Sequence, residues 1–185
     1  MDADASDKAD MQSLAGGNPQ ALDALMQRHA VQVAGFLYRV LQSSDAEDLT
    51  QEVFLRVFKH ANQYDSHQKF STWLFAIASN LAKNHKRWWF RHPTESLDDI
   101  TWDHFATEEP NPAQASERTE LRRKVRLAIA ALPVKLRVPL ILAEYENKSQ
   151  QEISEILGCS IKSVESCLYR SRRQLAEALK DLLKD

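Results

Sequence analysis

Glycine is scarce in this chain, and the four that occur among 185 residues are Gly16, Gly17, Gly35 and Gly158. Neither a GxGxxG loop nor a P-loop can be written with these positions, so glycine-rich phosphate sites are excluded. The dipeptides Asn-Gly and Asp-Gly, which mark tight β-hairpins, are also absent. Because 43% of the residues are hydrophobic, apolar cores can still form. The composition predicts an all-α protein that binds no nucleotide, and no cofactor is expected.

Cysteine is equally rare, since Cys159 and Cys167 are too few for a disulfide framework. We expect both to be small buried hydrophobic residues rather than redox or zinc groups. No apolar run is long enough to span a bilayer, and the N-terminal MDADASDKAD is acidic, unlike a signal peptide. The chain is therefore expected to be cytoplasmic, without direct membrane insertion.

The formal net charge of −2 conceals a separation of charge along the chain. Between Pro93 and Glu117 every charged residue is acidic, and basic clusters lie on both sides. The acidic residues are Glu95, Asp98, Asp99, Asp103, Glu108, Glu109 and Glu117, and the flanking basic residues are Lys83, Lys86, Arg87, Arg91, Arg118, Arg122, Arg123, Lys124 and Arg126. For a protein that binds nucleic acid, the sign of the charge on each segment matters more than the net charge of the chain.

Three amphipathic helices are predicted between about residues 20 and 92 from apolar residues that recur every three or four positions. The first follows Asn18 and Pro19, an N-cap candidate and a proline at the first helical position. The second follows a capping-box pattern at residues 44–47, and the third begins near Phe70. With short connections, these helices are expected to pack as one small bundle.

Residues 93–116 carry three prolines and a run of acids without an apolar period, which predicts an extended or loosely ordered linker. Helical spacing resumes at Leu121 and is interrupted by Pro133. A further helix is predicted over 134–146, where Pro139 indicates a kink or a late start. Residues 149–152 form a second capping-box pattern, and a final helix is predicted over about 160–183.

The stretch EISEILGCSIKSVESCLYRSRR, residues 152–173, has the pattern of a helix-turn-helix. Gly158 suits the turn because a helix commonly ends in left-handed backbone, where a Cβ is penalised. The packing side would consist of Ile153, Leu157, Cys159, Val164 and Cys167. The outward face of the second helix would hold Lys162, Ser163, Glu165, Ser166, Tyr169, Arg170 and Arg173. This face favours DNA binding in a major groove, and the alternative is an ordinary helical hairpin with a solvated charged face.

A second nucleic-acid candidate is KNHKRWWFRH, residues 83–92. Its cations can contact phosphates, and its aromatic rings can stack on unpaired bases, as binding of a single strand requires. The alternative is that the tryptophans complete the bundle core or meet a partner protein. The preceding loop, with Tyr64, Ser66 and His67, could form the wall of a base pocket.

Three segments taken together resemble the extracytoplasmic-function group of sigma-70-type sigma factors. They read DAEDLTQEVFLRVFKH, FSTWLFAIASNLAKNHKRW and LPVKLRVPLILAEYENKSQQEISEILGCSIKSVESCLYRSRRQL. The resemblance extends from about residue 10 to 180, in the order and spacing of the family. It implies a promoter-specificity subunit of bacterial RNA polymerase that directs transcription initiation of a stress- or signal-responsive regulon, and it implies no enzymatic activity.

The resemblance also implies a domain organisation and a role for each surface. It implies an N-terminal tail (1–17), a sigma-2 domain (18–92), an acidic linker (93–117) and a sigma-4 domain (118–183). The residues that would dock on the coiled coil of the largest polymerase subunit are Asp45, Asp48, Gln51, Glu52 and Leu55. Those that would read and open the −10 element are Tyr64, Ser66, Asn80, Lys83, Asn84, Arg87, Trp88 and Arg91. Those that would read the −35 duplex are Ser160, Lys162, Ser163, Glu165, Ser166, Tyr169, Arg170 and Arg173.

The partners implied are core RNA polymerase, through the coiled coil and the flap region, and promoter DNA, both as duplex and as melted single strand. An anti-sigma factor, often membrane-anchored in this family, is implied as well. The chain departs from the family where a lysine and an arginine are frequent in the recognition helix, because it has Glu165 and Cys167 there. A carboxylate can accept from a cytosine amino group but repels phosphate, so the departure bears on the −35 sequence.

Two other functions are considered from the residues. A helix-turn-helix repressor or activator acting without polymerase docking would need a symmetric dimer, and no dimerisation helix is evident. A hydrolase or metal enzyme could use the scattered histidines His29, His60, His67, His85, His92 and His104. No pair of them has HExxH spacing and no serine lies in a GxSxG elbow, so this function is disfavoured.

Overall fold

The computed structural model of the protein describes residues 3–91 and 112–180, and it describes side chains for residues 4–85 and 119–180. All regular elements in these ranges are helical, which confirms the predicted all-α class. The helices are α1 (Ala3–Ala15), α2 (Gln20–Leu41), α3 (Ala46–Lys59), α4 (Phe70–Arg91), α5 (Pro112–Ala131), α6 (Val134–Glu144), α7 (Gln150–Leu157) and α8 (Ile161–Ala178), with a 3₁₀ turn at Ala61–Gln63. None of the described helices is long and apolar enough to cross a membrane.

Helices α1 to α4 form a first module around a dry apolar core. The stripe predicted on α2 is buried, with Leu25, Val33, Phe36, Leu37 and Val40 fully inside. In this core the rings of Phe36 and Phe75 meet edge to face at 5.2 Å, an arrangement that aromatic pairs prefer. The bundle predicted from helical periodicity is therefore present, and it positions the outer faces of α3 and α4.

Helix α1 was not predicted, because residues 1–17 were expected to form a tail. It packs on α2 through Met11 and Leu14, which are buried. The carboxylate of Asp7 is also buried and accepts from Arg28 Nε at 2.8 Å, with its other oxygen 2.8 Å from His29 Nε2. A buried carboxylate is tolerated only with such partners. They lie about twenty residues away, beyond the reach of a local sequence pattern.

The expected helix starts are partly confirmed. The Asn18 side chain accepts from Gln20 N–H at 3.2 Å at the predicted start of α2, but the N-cap is Pro19 and the first helical residue is Gln20, one position later than predicted for each. The capping box predicted at residues 44–47 is wrong, because α3 begins at Ala46 without any side-chain cap. Asp45 instead accepts from the Ser43 hydroxyl at 2.9 Å and lies 3.4 Å from His85 Nε2.

Helices α5 to α8 form a second module. Helix α5 begins at Pro112, so the expectation of a loosely ordered linker is wrong for residues 112–116. A proline fits the first turn of a helix, where its missing N–H has no partner to lose. The remainder of the predicted linker, residues 93–111, lies outside the described residues. Pro139 lies inside α6, which begins five residues earlier at Val134, so a late start at this proline is excluded.

Arg137 on α6 joins the two modules from a buried position. Its guanidinium donates to Val40 O in the last turn of α2 at 2.7 Å, to Leu132 O at 2.9 Å, and to Ala130 O. These carbonyls lie at the C-terminal ends of α2 and α5, where a helix leaves its last carbonyls unpaired. Burial lowers the pKa of Arg137. The Arg137 side chain thus supplies hydrogen-bond donors to carbonyls at two helix ends, one in each module.

Candidate polymerase and nucleic-acid interfaces

The outer face of α3 carries most of the residues predicted to dock on a partner. Asp48, Gln51 and Leu55 are exposed, and Glu52 is half-buried beside Arg56, whose Nε donates to it at 2.7 Å. These positions are three or four apart, so they share one side of the helix. Asp45 lies three residues before Asp48 at the N-cap position of α3, where its half-buried carboxylate accepts from the Ser43 hydroxyl at 2.9 Å.

Sequence reasoning missed one member of this face, Phe58. Its ring is 47% exposed and follows Leu55, which is 43% exposed, by three residues on α3. Two large apolar side chains exposed side by side, with carboxylates around them, are typical of a protein-binding surface. The available signal was the three-residue spacing of Leu55 and Phe58, which places both on one side of a helix.

The single-strand candidates lie on α4. Asn80 and Asn84 are exposed and Lys83 is half-buried, so the three predicted side chains share one accessible face. Arg87, Trp88 and Arg91 continue the same helix, and their side chains lie outside the described residues. Stacking on Trp88 therefore stays a prediction.

Tyr64 is half-buried and takes part in packing. Its hydroxyl donates to Gln68 O at 2.8 Å, and its ring lies 5.4 Å from that of Trp73 and 6.0 Å from that of Phe70. Burial, with nearby carboxylates in support, raises its pKa to about 12, so the hydroxyl stays protonated. Ser66 is exposed in the same loop. At the predicted pocket wall, the ring of Tyr64 is therefore held by packing, and Ser66 exposes its hydroxyl to solvent.

The helix-turn-helix has the local geometry predicted from its sequence. Ser149 caps α7 through a complete capping box, in which its Oγ accepts from Glu152 N–H and Glu152 Oε2 accepts from Ser149 N–H at 2.9 Å. Gly158 ends α7 in left-handed backbone at φ 62°, where only glycine is free of strain. Ser160 then caps α8 by accepting from Ser163 N–H at 3.3 Å.

The packing side of this unit differs from the prediction at both cysteines. Cys159 is exposed and Cys167 is only half-buried. The inward side of α8 consists of Val164, Leu168 and Ser171, which are separated by four and then three residues. Because Ser171 donates to Leu136 O at 2.9 Å, a polar residue takes a core position that the sequence did not identify.

The outward face of α8 is accessible along its length. All seven residues predicted there are exposed: Lys162, Ser163, Glu165, Ser166, Tyr169, Arg170 and Arg173. Arg170 donates to the Ser166 hydroxyl at 2.8 Å, which directs its guanidinium along the helix, and Tyr169 is 67% exposed. A helix with this face outward can enter a major groove, with its first turns at the base edges and its later arginines near phosphates.

Metal chemistry finds no support in the described part of the chain, where no group of three His, Cys, Asp or Glu side chains could hold an ion. Of the six histidines, His92 and His104 lie outside that part. His29 is used in the core of the first module, where its Nε2 meets Asp7 and its ring lies 5.2 Å from that of Phe70.

Comparison with known proteins matches both modules. Residues 25–88 match the family model described as Sigma-70 region 2, and residues 122–175 match Sigma-70, region 4. The chain is 31% identical over 178 residues to RNA polymerase sigma-H factor of Pseudomonas aeruginosa, covering 91% of each chain. It is 29% identical over 190 residues to ECF RNA polymerase sigma-E factor of Escherichia coli K12, covering both completely.

A solved structure supports the fold. The sigma factor RpoE of Bartonella quintana, crystallised in complex with the anti-sigma factor NepR, aligns with a TM-score of 0.67 at 21% identity, over 85% of this chain and 96% of that one. At this identity the likeness concerns the arrangement of helices.

Proposed function

Since the chain belongs to the extracytoplasmic-function group of the sigma-70 family, we propose that its two modules work together as a dissociable promoter-specificity subunit of RNA polymerase. It binds core polymerase, recognises the −10 and −35 elements, and directs initiation at the promoters of a signal-responsive regulon. The observation that supports this proposal is that one chain carries an exposed acidic and apolar face on α3 and an exposed polar and basic face on α8.

The docking face of α3 is assigned to the coiled coil of the largest polymerase subunit. Asp48 and Glu52 supply negative charge, and Leu55 and Phe58 supply the apolar centre that stable protein interfaces need. Gln51 lies between the charged and the apolar side chains and can hydrogen-bond to polar groups at the edge of the interface. The charged groups then govern the rate and register of association more than its strength.

The DNA-reading surfaces are assigned to different states of the promoter. Helix α8 reads the −35 element as duplex, with Lys162, Ser163 and Glu165 near base edges and Arg170 and Arg173 near phosphates. On α4 the residues that read and hold the melted −10 strand are Asn80, Lys83, Asn84, Arg87, Trp88 and Arg91, with Tyr64 and Ser66 at the preceding loop. Polymerase supplies further DNA contacts, which is compatible with the low net charge of the free subunit.

The same assignment sets the location and regulation of the protein. Its site of action is the cytoplasm, where it serves as an initiation factor without an enzymatic step of its own. We propose that a dedicated anti-sigma factor holds it inactive, by analogy with the complex named for the Bartonella quintana relative. A pull-down from unstressed cells should recover a small inhibitor beside polymerase; recovery of polymerase alone would contradict this regulation.

The docking assignment is tested with a charge reversal on α3. Asp48→Arg should reduce binding of the protein to core polymerase, whereas Asp23→Arg, the same change at an exposed position on α2, should not. Binding is measured by surface plasmon resonance with immobilised core enzyme, and folding of both variants by circular dichroism. Equal binding by the two folded variants would refute the assignment of α3.

A further inference from the structure

The first turn of α8 exposes an apolar side chain that sequence reasoning did not assign. Ile161 is the first residue of the helix and is 41% exposed, whereas Val164 and Leu168, the next large apolar residues along it, are buried. Its chain neighbours Ser160 and Lys162 are exposed and polar. Ile161 therefore lies on the accessible side of α8, at the end of a recognition helix that contacts base edges.

Glu165 lies beside Ile161, because residues four apart are neighbours on the surface of a helix. Its carboxylate is exposed, and it makes no hydrogen bond or ion pair with any residue in the described part of the chain, Lys162 included. By contrast, Glu144 at the end of α6 is paired with Arg172 of α8 at 2.8 Å. The carboxylate of Glu165 is thus available to a group outside the chain.

A carboxylate at this position has to find a donor when the helix enters DNA. The major groove lies between two rows of phosphates, which repel a negative side chain. The donors on its floor are the amino groups of cytosine and adenine. In adenine the amino group adjoins the N7 acceptor, which would repel the second carboxylate oxygen, so the amino group of cytosine is the better partner for Glu165.

The side chain of Ile161 has neither donor nor acceptor, so it can distinguish bases only by apolar contact. The apolar group that an unmodified base pair presents in the major groove is the C5-methyl of thymine. One helical turn rises about 5.4 Å, and one base-pair step about 3.4 Å. Two side chains one turn apart, such as Ile161 and Glu165, therefore reach base pairs one or two steps apart.

We propose that Ile161 and Glu165 determine the sequence specificity of α8, by reading a thymine methyl and a cytosine amino group one or two base pairs apart in the −35 element. This assignment rests on the proposed function, because it names the bases that the same surface reads. Arg170 and Arg173 are assigned to phosphates, which are present at every sequence and carry no direct information. Selection of bases therefore depends on the first turns of the helix.

Glu165→Gln tests the cytosine contact, because a glutamine amide pairs with N6 and N7 of adenine. Holoenzyme assembled from core polymerase and the full chain is used to select linear promoters randomised over the −35 region, and the bound sequences are counted. We expect one position to change its preference from cytosine to adenine by roughly tenfold. Glu177→Gln, the same change at an exposed position about three turns further along α8, should alter no position.

Two results would overturn the role of Glu165. The first is a cytosine preference that stays unchanged in Glu165→Gln. The second is an equal rise in affinity for every sequence, which would show that the carboxylate only repels phosphates. If the unaltered holoenzyme selects a −35 sequence that contains no such thymine and cytosine, the inference fails and the proposed function stands. If it selects no −35 sequence at all, the proposed function is contradicted.

The thymine contact is tested by replacing the selected thymine with uracil, which removes only the methyl group. Binding of the unaltered holoenzyme to this duplex should weaken about fourfold, the loss expected for one buried methyl group. Ile161→Ala should bind the thymine duplex more weakly and should no longer distinguish it from the uracil duplex. The same loss on uracil in both proteins, or no loss in the unaltered one, would overturn the role of Ile161.

Discussion

Arg137→Met removes a guanidinium that is 4% exposed and serves carbonyls at the ends of two helices. Methionine retains much of the apolar stem, so the change tests the hydrogen bonds rather than a cavity. Val40 O and Leu132 O would then be buried without partners, at a cost of about 1–3 kcal/mol each. The part-buried Ala130 O can be rehydrated, and relief of the buried charge offsets some of the loss. We expect a net destabilisation of about 3 kcal/mol.

Thermal unfolding followed by circular dichroism measures this loss. For a chain of this size about 3 kcal/mol corresponds to a fall in Tm of roughly 6–12 °C. Arg123→Ala is the control, because Arg123 is exposed and pairs with Glu120 one helical turn away, so the Tm of this variant should match that of the unaltered protein. A fall of less than 2 °C for Arg137→Met would show that the guanidinium does not hold these helix ends together, and the reasoning would be wrong.

Three further predictions concern the reading helix, its cap and a buried acid. Arg170→Ala with Arg173→Ala should weaken binding of holoenzyme to −35 DNA and reduce the salt slope of log K by about 2; the control Arg172→Ala, whose guanidinium pairs with Glu144 at 2.8 Å, should leave the slope unchanged. Ser149→Ala should lower the unfolding free energy by about 1 kcal/mol in urea titrations, because it removes a complete capping box, and an unchanged midpoint would contradict this role. Burial raises the pKa of Glu146 above its ordinary value of 4.5, so the contribution of this group to the unfolding free energy falls as the pH rises from 4.5 through the raised pKa. Glu146→Gln removes the titrating group and should flatten that part of a plot of unfolding free energy against pH. An identical plot for the variant would refute the shift.

The features predicted correctly from the sequence are those encoded by neighbouring residues. Ser149 and Glu152 are three apart and can satisfy each other's backbone within one turn, so the pattern was sufficient. Gly158 was predictable for the same reason, since its conformation depends on its own missing Cβ. The equivalent pattern at residues 44–47 failed, since α3 begins at Ala46 without a side-chain cap, and Asp45 contacts Ser43 and His85 there.

Two of the features that were missed, helix α1 and the burial of Arg137, depend on partners distant in the chain. Helix α1 is fixed by the bonds of Asp7 to residues of α2, and its own sequence offers few apolar positions. Arg137 had no local sign of burial, because its acceptors come from two helix ends brought together by folding. Cys159 was predicted to be buried by its residue type, but it follows the helix end at Gly158 and faces outward. Tertiary context decided α1 and Arg137, whereas the adjacent helix end decided Cys159.

Run-off transcription from a linear promoter, with purified core polymerase and the protein as the only added factor, tests the central claim most directly. The account predicts that core polymerase alone makes no promoter-specific transcript, and that addition of the protein yields one with a single mapped start downstream of −35 and −10 elements. If the folded protein binds core polymerase and still produces no specific start, the assignment of a promoter-recognition function is contradicted.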